Sequence, residues 1–369
     1  IHPEEHDLVI GTFGRSIWVM DDIRPLREIA KNGKSTLEKK LNVYDPPAAY
    51  VASNQQPKGS RFGGDALYNG ENRPYGAMLT YSINRPEEKK KEEAEGNKKG
   101  KKKKDEPMDE EKKDEKVSYD SLTVEIMNGN EVIRTLKSKA PEKNGIHRTF
   151  WYMDEKGTDR MSRRDRRSNR ESGGVTVLPG SYKVRFTFGD QKDSTNIDVR
   201  YDPRIELSNA AIRAKYNTLK ELESKYSMGV KAVDRLKESI DIAQGIQGDL
   251  KKKDKEGYKE QIELCKTTID TLNSMLDVFL GEEDDRQGIT RGTPNSVSNS
   301  YGSAYYYTSG ALHAPGETEQ KLINKFEEDL TEAMEMVNGY YNEKWPEFRS
   351  AVEGLDTSPF KDYEEIKEE

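Results

Sequence analysis

Four histidines, one cysteine, a run of arginines and a cluster of tyrosines are the residues of this chain best suited to chemistry. His2, His6, His147 and His313 are scattered, whereas a metal centre or an acid–base pair needs groups that converge. His2 and His6 are close in sequence, but a chain end is a poor scaffold for a metal. Cys265 excludes an intrachain disulfide and any all-cysteine metal site. It falls on an apolar helical stripe without a histidine companion, which predicts a packed core thiol rather than a nucleophile. Acidic residues are abundant, yet no pair sits in a setting that suggests glycoside hydrolysis, which needs two carboxylates flanking one bond. The chain carries no HExxH, GxSxG, Walker A or dinucleotide motif. No catalytic residue, metal site or cofactor is therefore assigned.

Two stretches are better suited to recognition than to reaction. Between Asp159 and Arg170 lie Arg160, Arg163, Arg164, Arg166 and Arg167, with only Asp159 and Asp165 for balance. Planar guanidinium groups in such a cluster suit a carboxylate or a negative partner surface. The alternative is that they pair with acidic helices of the same chain or face solvent. The second stretch, SNSYGSAYYYTSGALHAPG, carries Tyr301, Tyr305, Tyr306 and Tyr307. Tyrosine among serine and glycine suits contact with a protein or a carbohydrate. A connection closing a helix pair is the simpler reading.

Length and charge set further bounds. The chain has 369 residues, enough for two or three domains, with 32% apolar and 35% charged residues. A net charge of -7 gives no case for a nucleic-acid binder. No apolar run approaches the length of a membrane span. Residues 87–116 hold 12 Lys and 12 Asp or Glu, so their charges cancel. Such a segment predicts a disordered insertion between paired strands, a length that loop closure tolerates. A polyelectrolyte arm is the other reading. The opening Ile1-His2-Pro3 predicts a processed or truncated piece of a longer protein.

The elements that must carry these residues divide into β and then α. Asp7 to Asp21 predicts a hairpin around Phe13-Gly14, with Ile17, Trp18, Val19 and Met20 as the returning strand. A lone hairpin is marginal in water, so its apolar side chains ask for a neighbouring sheet or another chain. Residues 31–74 look like an irregular linker. Strands then recur from Tyr75 to Tyr201, with Leu122, Val124 and Ile126 on one face of one strand. Tyr182, Val184, Phe186 and Phe188 lie on one face of another, alternating with Lys183, Arg185 and Thr187. This predicts a β-sandwich over 75–204. Ser208 caps the first of three long amphipathic helices over 205–369, an antiparallel bundle interrupted by a loop at 281–316. Gly245 and Gly248 suit the end of the first helix, and Trp345-Pro346 a break or a bend in the last.

The hairpin segment DLVIGTFGRSIWVMDDIRPLREI resembles a family. It is similar to the closing blade of large β-propellers grouped with sialidase-type BNR repeats and with the sortilin/VPS10 fold. Gly11, Thr12, Gly14, Arg15, Ser16, Ile17, Trp18, Val19, Asp21 and Asp22 match the pattern G-T-x-G-R-S-[IV]-[WY]-V-x-D-D. Pro179-Gly180-x-Tyr182-x-Val184 and Asp202-Pro203-Arg204 match an immunoglobulin- or fibronectin-like domain that follows such propellers. The resemblance implies structural roles for Trp18, Trp151 and Tyr182, with Trp151 in the sandwich core. It implies residues 1–30 as the final strands of an upstream propeller, in the same or a companion chain, and an extracytoplasmic setting. Many bacterial members carry a glycosyl hydrolase label. The Asp-box S-x-D-x-G-x-x-W is absent here, and the sialidase carboxylates, arginines and tyrosine would lie in upstream blades. The expected function is thus a non-catalytic structural and protein-interaction region, with a possible carbohydrate ligand. The alternative is an accessory part of a glycosidase or sialidase.

Overall fold

The computed structural model describes residues 1–14, 17–52, 73–86, 118–165, 170–283, 295–311 and 313–355. The charged insertion expected at 87–116, Arg166 and Arg167, and the acidic tail lie outside them. In chain order the elements are β1 Leu8–Gly11, β2 Ile17–Met20, α1 Arg24–Asn32, α2 Ser35–Glu38, β3 Leu41–Val43, β4 Ala49–Val51, β5 Ala77–Ile83, β6 Ser121–Asn128, β7 Glu131–Lys139 and β8 Gly145–Trp151. There follow β9 Asp154–Lys156, β10 Gly173–Thr176, β11 Gly180–Phe188 and β12 Gln191–Tyr201. The helices α3 Asn209–Lys253, α4 Lys259–Leu280, α5 Val297–Gly310 and α6 Glu317–Val352 complete the chain. A mixed β-sheet region thus precedes a helical bundle. The chain forms two compact units: Ile1–Met153 with Pro179–Asp202, and Asp154–Leu178 with Pro203–Glu369.

The first unit holds a five-stranded sheet, in the order β4-β12-β11-β6-β7, and a three-stranded sheet, β3-β5-β8. All pairs are antiparallel except β12 with β4. Alternation in β11 does what period-two patterning requires. Tyr182, Val184, Phe186 and Phe188 are buried, while Arg185 on the opposite face pairs with its cross-strand neighbour Glu125 at 2.8 Å. The two sheets meet through aromatic contacts: Trp151 stands edge-on to Tyr182 at 5.6 Å, and Tyr81 lies 5.2 Å from Phe186. Within the stretch 31–74, read as a linker, the described residues include α2, β3 and β4. Leu41, Tyr44 and Ala49 are buried there. Strands of three residues are too short to show alternation, and Pro46-Pro47 between them suggests irregular chain.

A polar clasp closes one end of the five-stranded sheet. The Tyr119 hydroxyl donates to Asp190 Oδ1 at 2.5 Å, and Lys40 Nζ donates to the Tyr119 oxygen at 3.0 Å. The Tyr119 hydrogen bond chiefly holds the Asp190 carboxyl down at about 2, well below the ordinary aspartate value. A depressed folded-state value stabilises the fold above the unfolded-state value and loses that stabilisation as pH falls. The wild type should therefore melt above Asp190→Asn at neutral pH. The gap in Tm should close as pH falls from about 4 toward about 2, which thermal melts across that range would check.

The second unit is built on α3, whose Ser208 Oγ accepts from Ala211 N–H at 3.2 Å. Its core joins Leu219, Leu222, Val233, Leu236, Leu272, Phe279, Phe326 and Val337 with residues from the other helices. Three expectations are corrected here. α3 does not end at Gly245 or Gly248 but runs to Lys253, because Ala243 and Leu250 are fully buried on either side of the glycines. α6 does not break at Pro346. Phe348 and Val352 pack with Ala243 and Cys265, and that packing outweighs the amide hydrogen that proline lacks. The region 281–316 is not a loop throughout, because α5 occupies its second half as a fourth helix.

Candidate functional site

Within the first unit, β1 and β2 pair only with each other among the described residues. Their base is firmly held. Asp22 N–H donates to Asp7 Oδ1 at 2.8 Å, and Ile23 N–H donates to the His6 carbonyl at 3.0 Å. Arg148 on β8 donates through Nη2 to the carbonyls of Asp21 and Asp22, at 2.5 and 3.0 Å. Beyond this base the ribbon stands exposed. The register Val9↔Val19 and Ile10↔Trp18 divides its side chains between two faces. Leu8, Ile10, Trp18 and Met20 share one face. Val9, Ile17 and Val19 share the other with Gly11. Trp18 is 63% and Ile17 71% exposed, so large apolar side chains stand uncovered on both faces. A ribbon wet on one side would alternate apolar with polar residues. Trp18, expected as a structural residue, therefore has no core around it here, whereas Trp151 and Tyr182 are buried.

The second unit places the arginine loop and the tyrosines. Arg163 donates to Asp277 Oδ1 at 2.5 Å and to the Gly281 carbonyl at 2.6 Å. It thus caps the C-terminus of α4, where a cation meets the negative end of the helix dipole. Arg160 and Arg164 border a cavity of about 370 Å³ that also includes Asp159, Asp165, Asp234 and Lys237. Both signs of charge line it, and Lys237 already holds Asp165 at 2.6 Å. The sequence ran four tyrosines together, but α5 separates them by helical spacing. Tyr301 stacks on Tyr226 at 3.8 Å and stands edge-on to Phe326 at 5.4 Å. Desolvation pushes the hydroxyls of Tyr301 and of its i+4 neighbour Tyr305 upward. Tyr306 and Tyr307 turn outward, 73% and 53% exposed.

A cluster of ionisable groups in this unit is paired internally. Glu155 on β9 accepts from the Tyr216 hydroxyl at 2.5 Å and from Lys220 Nζ at 2.8 Å. Glu223 accepts the Thr158 N–H at 3.2 Å and lies 3.6 Å from Lys220. Gly174 lets the β9–β10 pair come this close, since a Cβ there would meet Gly157 Cα at 2.7 Å and Glu223 Oε1 at 2.9 Å. The arrangement pins the β9–β10 pair to α3. Burial raises the Cys265 thiol, which favours its neutral form. The His147 Nε2 is 2.7 Å from the Lys143 carbonyl oxygen. Among the described residues no group of three His, Cys, Asp or Glu could hold a metal ion. No described helix is long and apolar enough to cross a membrane.

Among the described residues the geometry presents two surfaces: a ribbon apolar on both faces in the first unit, and an outward tyrosine face in the second. The ribbon's pattern was visible in the sequence. The division of the tyrosines was not, although Ser296 as cap and the inward set Val297, Ser300, Ala304 and Thr308 carried the helical period. Set against protein-family models, curated proteins and solved structures, this chain matches none.

Proposed function

We propose that this chain is the non-catalytic trailing region of a β-propeller protein, in which β1 and β2 complete the last blade. The observation that carries the reading is the ribbon itself, apolar and exposed on both faces above a firmly hydrogen-bonded base. Blades of a propeller stack radially, so a strand pair in a blade is covered on both sides and bonded along an edge. The match of Gly11 to Asp22 to a propeller-closing segment supports the same reading. The sheets that follow are then an immunoglobulin- or fibronectin-like sandwich bracing the propeller. The bundle offers a protein-interaction surface, and the whole works in an extracytoplasmic assembly.

The test is complementation. The region encoded upstream of Ile1 and residues 1–369, expressed as separate polypeptides, should form a complex that survives size-exclusion chromatography. Val9→Lys and Ile10→Lys place a charge on opposite faces of the ribbon. Each should abolish the complex while leaving the Tm of residues 1–369 unchanged, because neither side chain belongs to a core. A complex that tolerates both substitutions, or no complex between the wild-type pieces, would overturn the proposal.

A further inference from the structure

The helix α5 is uncharged along its whole length. Over 14 residues, Val297–Gly310, it carries no Asp, Glu, Lys or Arg, in a protein of which 35% is charged. Serine and glycine are poor helix formers, and the helix is held by its inward side, where Val297, Ala304 and Thr308 are buried. The outward residues serve neither helix propensity nor that core. Ser298, Asn299 and Ser303, with Tyr306 and Tyr307, line a groove of about 450 Å³ that ends at Leu280. The two exposed rings meet edge to face at 5.7 Å. Gly302 lies in the groove wall, and a Cβ placed there would meet nothing within 4 Å among the described residues. No positive φ requires glycine at this position, and a glycine inside a helix is destabilising relative to alanine. Among the described residues neither packing nor backbone conformation accounts for this glycine, and its lack of a side chain leaves the groove wall bare.

We infer that this groove binds a neutral carbohydrate. A pyranose ring offers an apolar C–H face to an aromatic ring and a rim of uncharged hydroxyls that both donate and accept. Tyr306 and Tyr307 supply the rings, and Asn299, Ser298 and Ser303 supply uncharged partners for the rim. The volume lies in the range of small-ligand pockets, about 300–1,000 Å³. Among the described residues eight line it. The inference rests on the second unit alone and stands apart from the role given to the ribbon.

Native affinity electrophoresis of the full chain tests it, with dextran, xylan, mannan, a mixed-linkage β-glucan and, as a charged control, polygalacturonate in the gel. At least one neutral glycan should slow migration, with a dissociation constant that isothermal titration with its oligosaccharides then measures. Tyr306→Ala should weaken that binding at least tenfold. Gly302→Leu should do the same while its Tm equals or exceeds that of the wild type, because leucine fills the groove and favours the helix. Loss of binding in Gly302→Leu at undiminished Tm separates occlusion from unfolding. No retardation by any neutral glycan, retardation by polygalacturonate alone, or binding unchanged in both variants would overturn the inference. So would a dimer of the wild type that Tyr306→Ala dissolves, since the face would then belong to a second copy.

Discussion

Trp151→Ala should cost about 3–5 kcal/mol of folding stability, the range for removing a large aromatic from a core. Trp151 is fully buried and meets Tyr182 edge-on at 5.6 Å. It sits on β8 of the three-stranded sheet, opposite Ala77 of β5, while Tyr182 sits on β11 of the five-stranded sheet. Its removal thus opens a cavity where the two sheets meet, and neither sheet can close it without leaving its hydrogen-bonded register. Domains are commonly stable by only about 5–15 kcal/mol, so this substitution should take away a large part of the total. Urea unfolding followed by circular dichroism would measure it as a fall in the midpoint. Trp18→Ala is the internal comparison. That side chain is 63% exposed in the chain alone, so the same change of residue type should move the midpoint little.

Phe326→Ala should have an effect of similar size on the helical unit, about 3–5 kcal/mol. The ring is fully buried in the bundle core and stands edge-on to Tyr301, which in turn stacks on Tyr226. One truncation therefore loosens an aromatic chain that runs from α6 through α5 to α3. The loss should appear as a lowered midpoint for helical circular dichroism. It should also appear in the Tyr301 hydroxyl, now held above its ordinary range by burial. Spectrophotometric titration should find that hydroxyl ionising closer to the ordinary tyrosine value once water reaches the vacated space. An unchanged midpoint would show that the bundle can collapse onto the missing ring.

The parts of the fold legible in the sequence are those where one local period runs long enough to be seen. β11 and β12 announce themselves by Tyr182, Val184, Phe186, Phe188, Ile197 and Val199, all buried as their alternation requires. α3 shows its stripe over many turns, and Ser208 its cap. The sequence was least informative where tertiary packing overrides a local signal. Gly245, Gly248 and Pro346 are helix breakers by propensity, yet the helices run through them because Ala243, Cys265, Phe348 and Val352 bury one another. β3 and β4 borrow their pairing from β5 and β12, which nothing in three residues can advertise. α5 reads as loop because serine, glycine and tyrosine favour no single state. Its helix depends on Tyr301 and Ala304 finding a core that the rest of the bundle provides.

The candidate surfaces divide in the same way. The ribbon is written openly in LVIG and IWVM, and its two apolar faces need only the register to assign them. The arginine cluster was legible as a charge pattern. Its use was not, because the partners of Arg163, Asp277 and the Gly281 carbonyl, lie more than a hundred residues further along the chain.

The most direct test of the proposed role is hydrogen exchange of residues 8–20 in two contexts: residues 1–369 alone, and residues 1–369 together with the propeller that the proposal places ahead of them. A ribbon that completes a blade gains an edge partner and loses water from both faces, so its amides should be strongly protected in the longer protein and exchange fast in the shorter. Equal and rapid exchange in both would contradict the account.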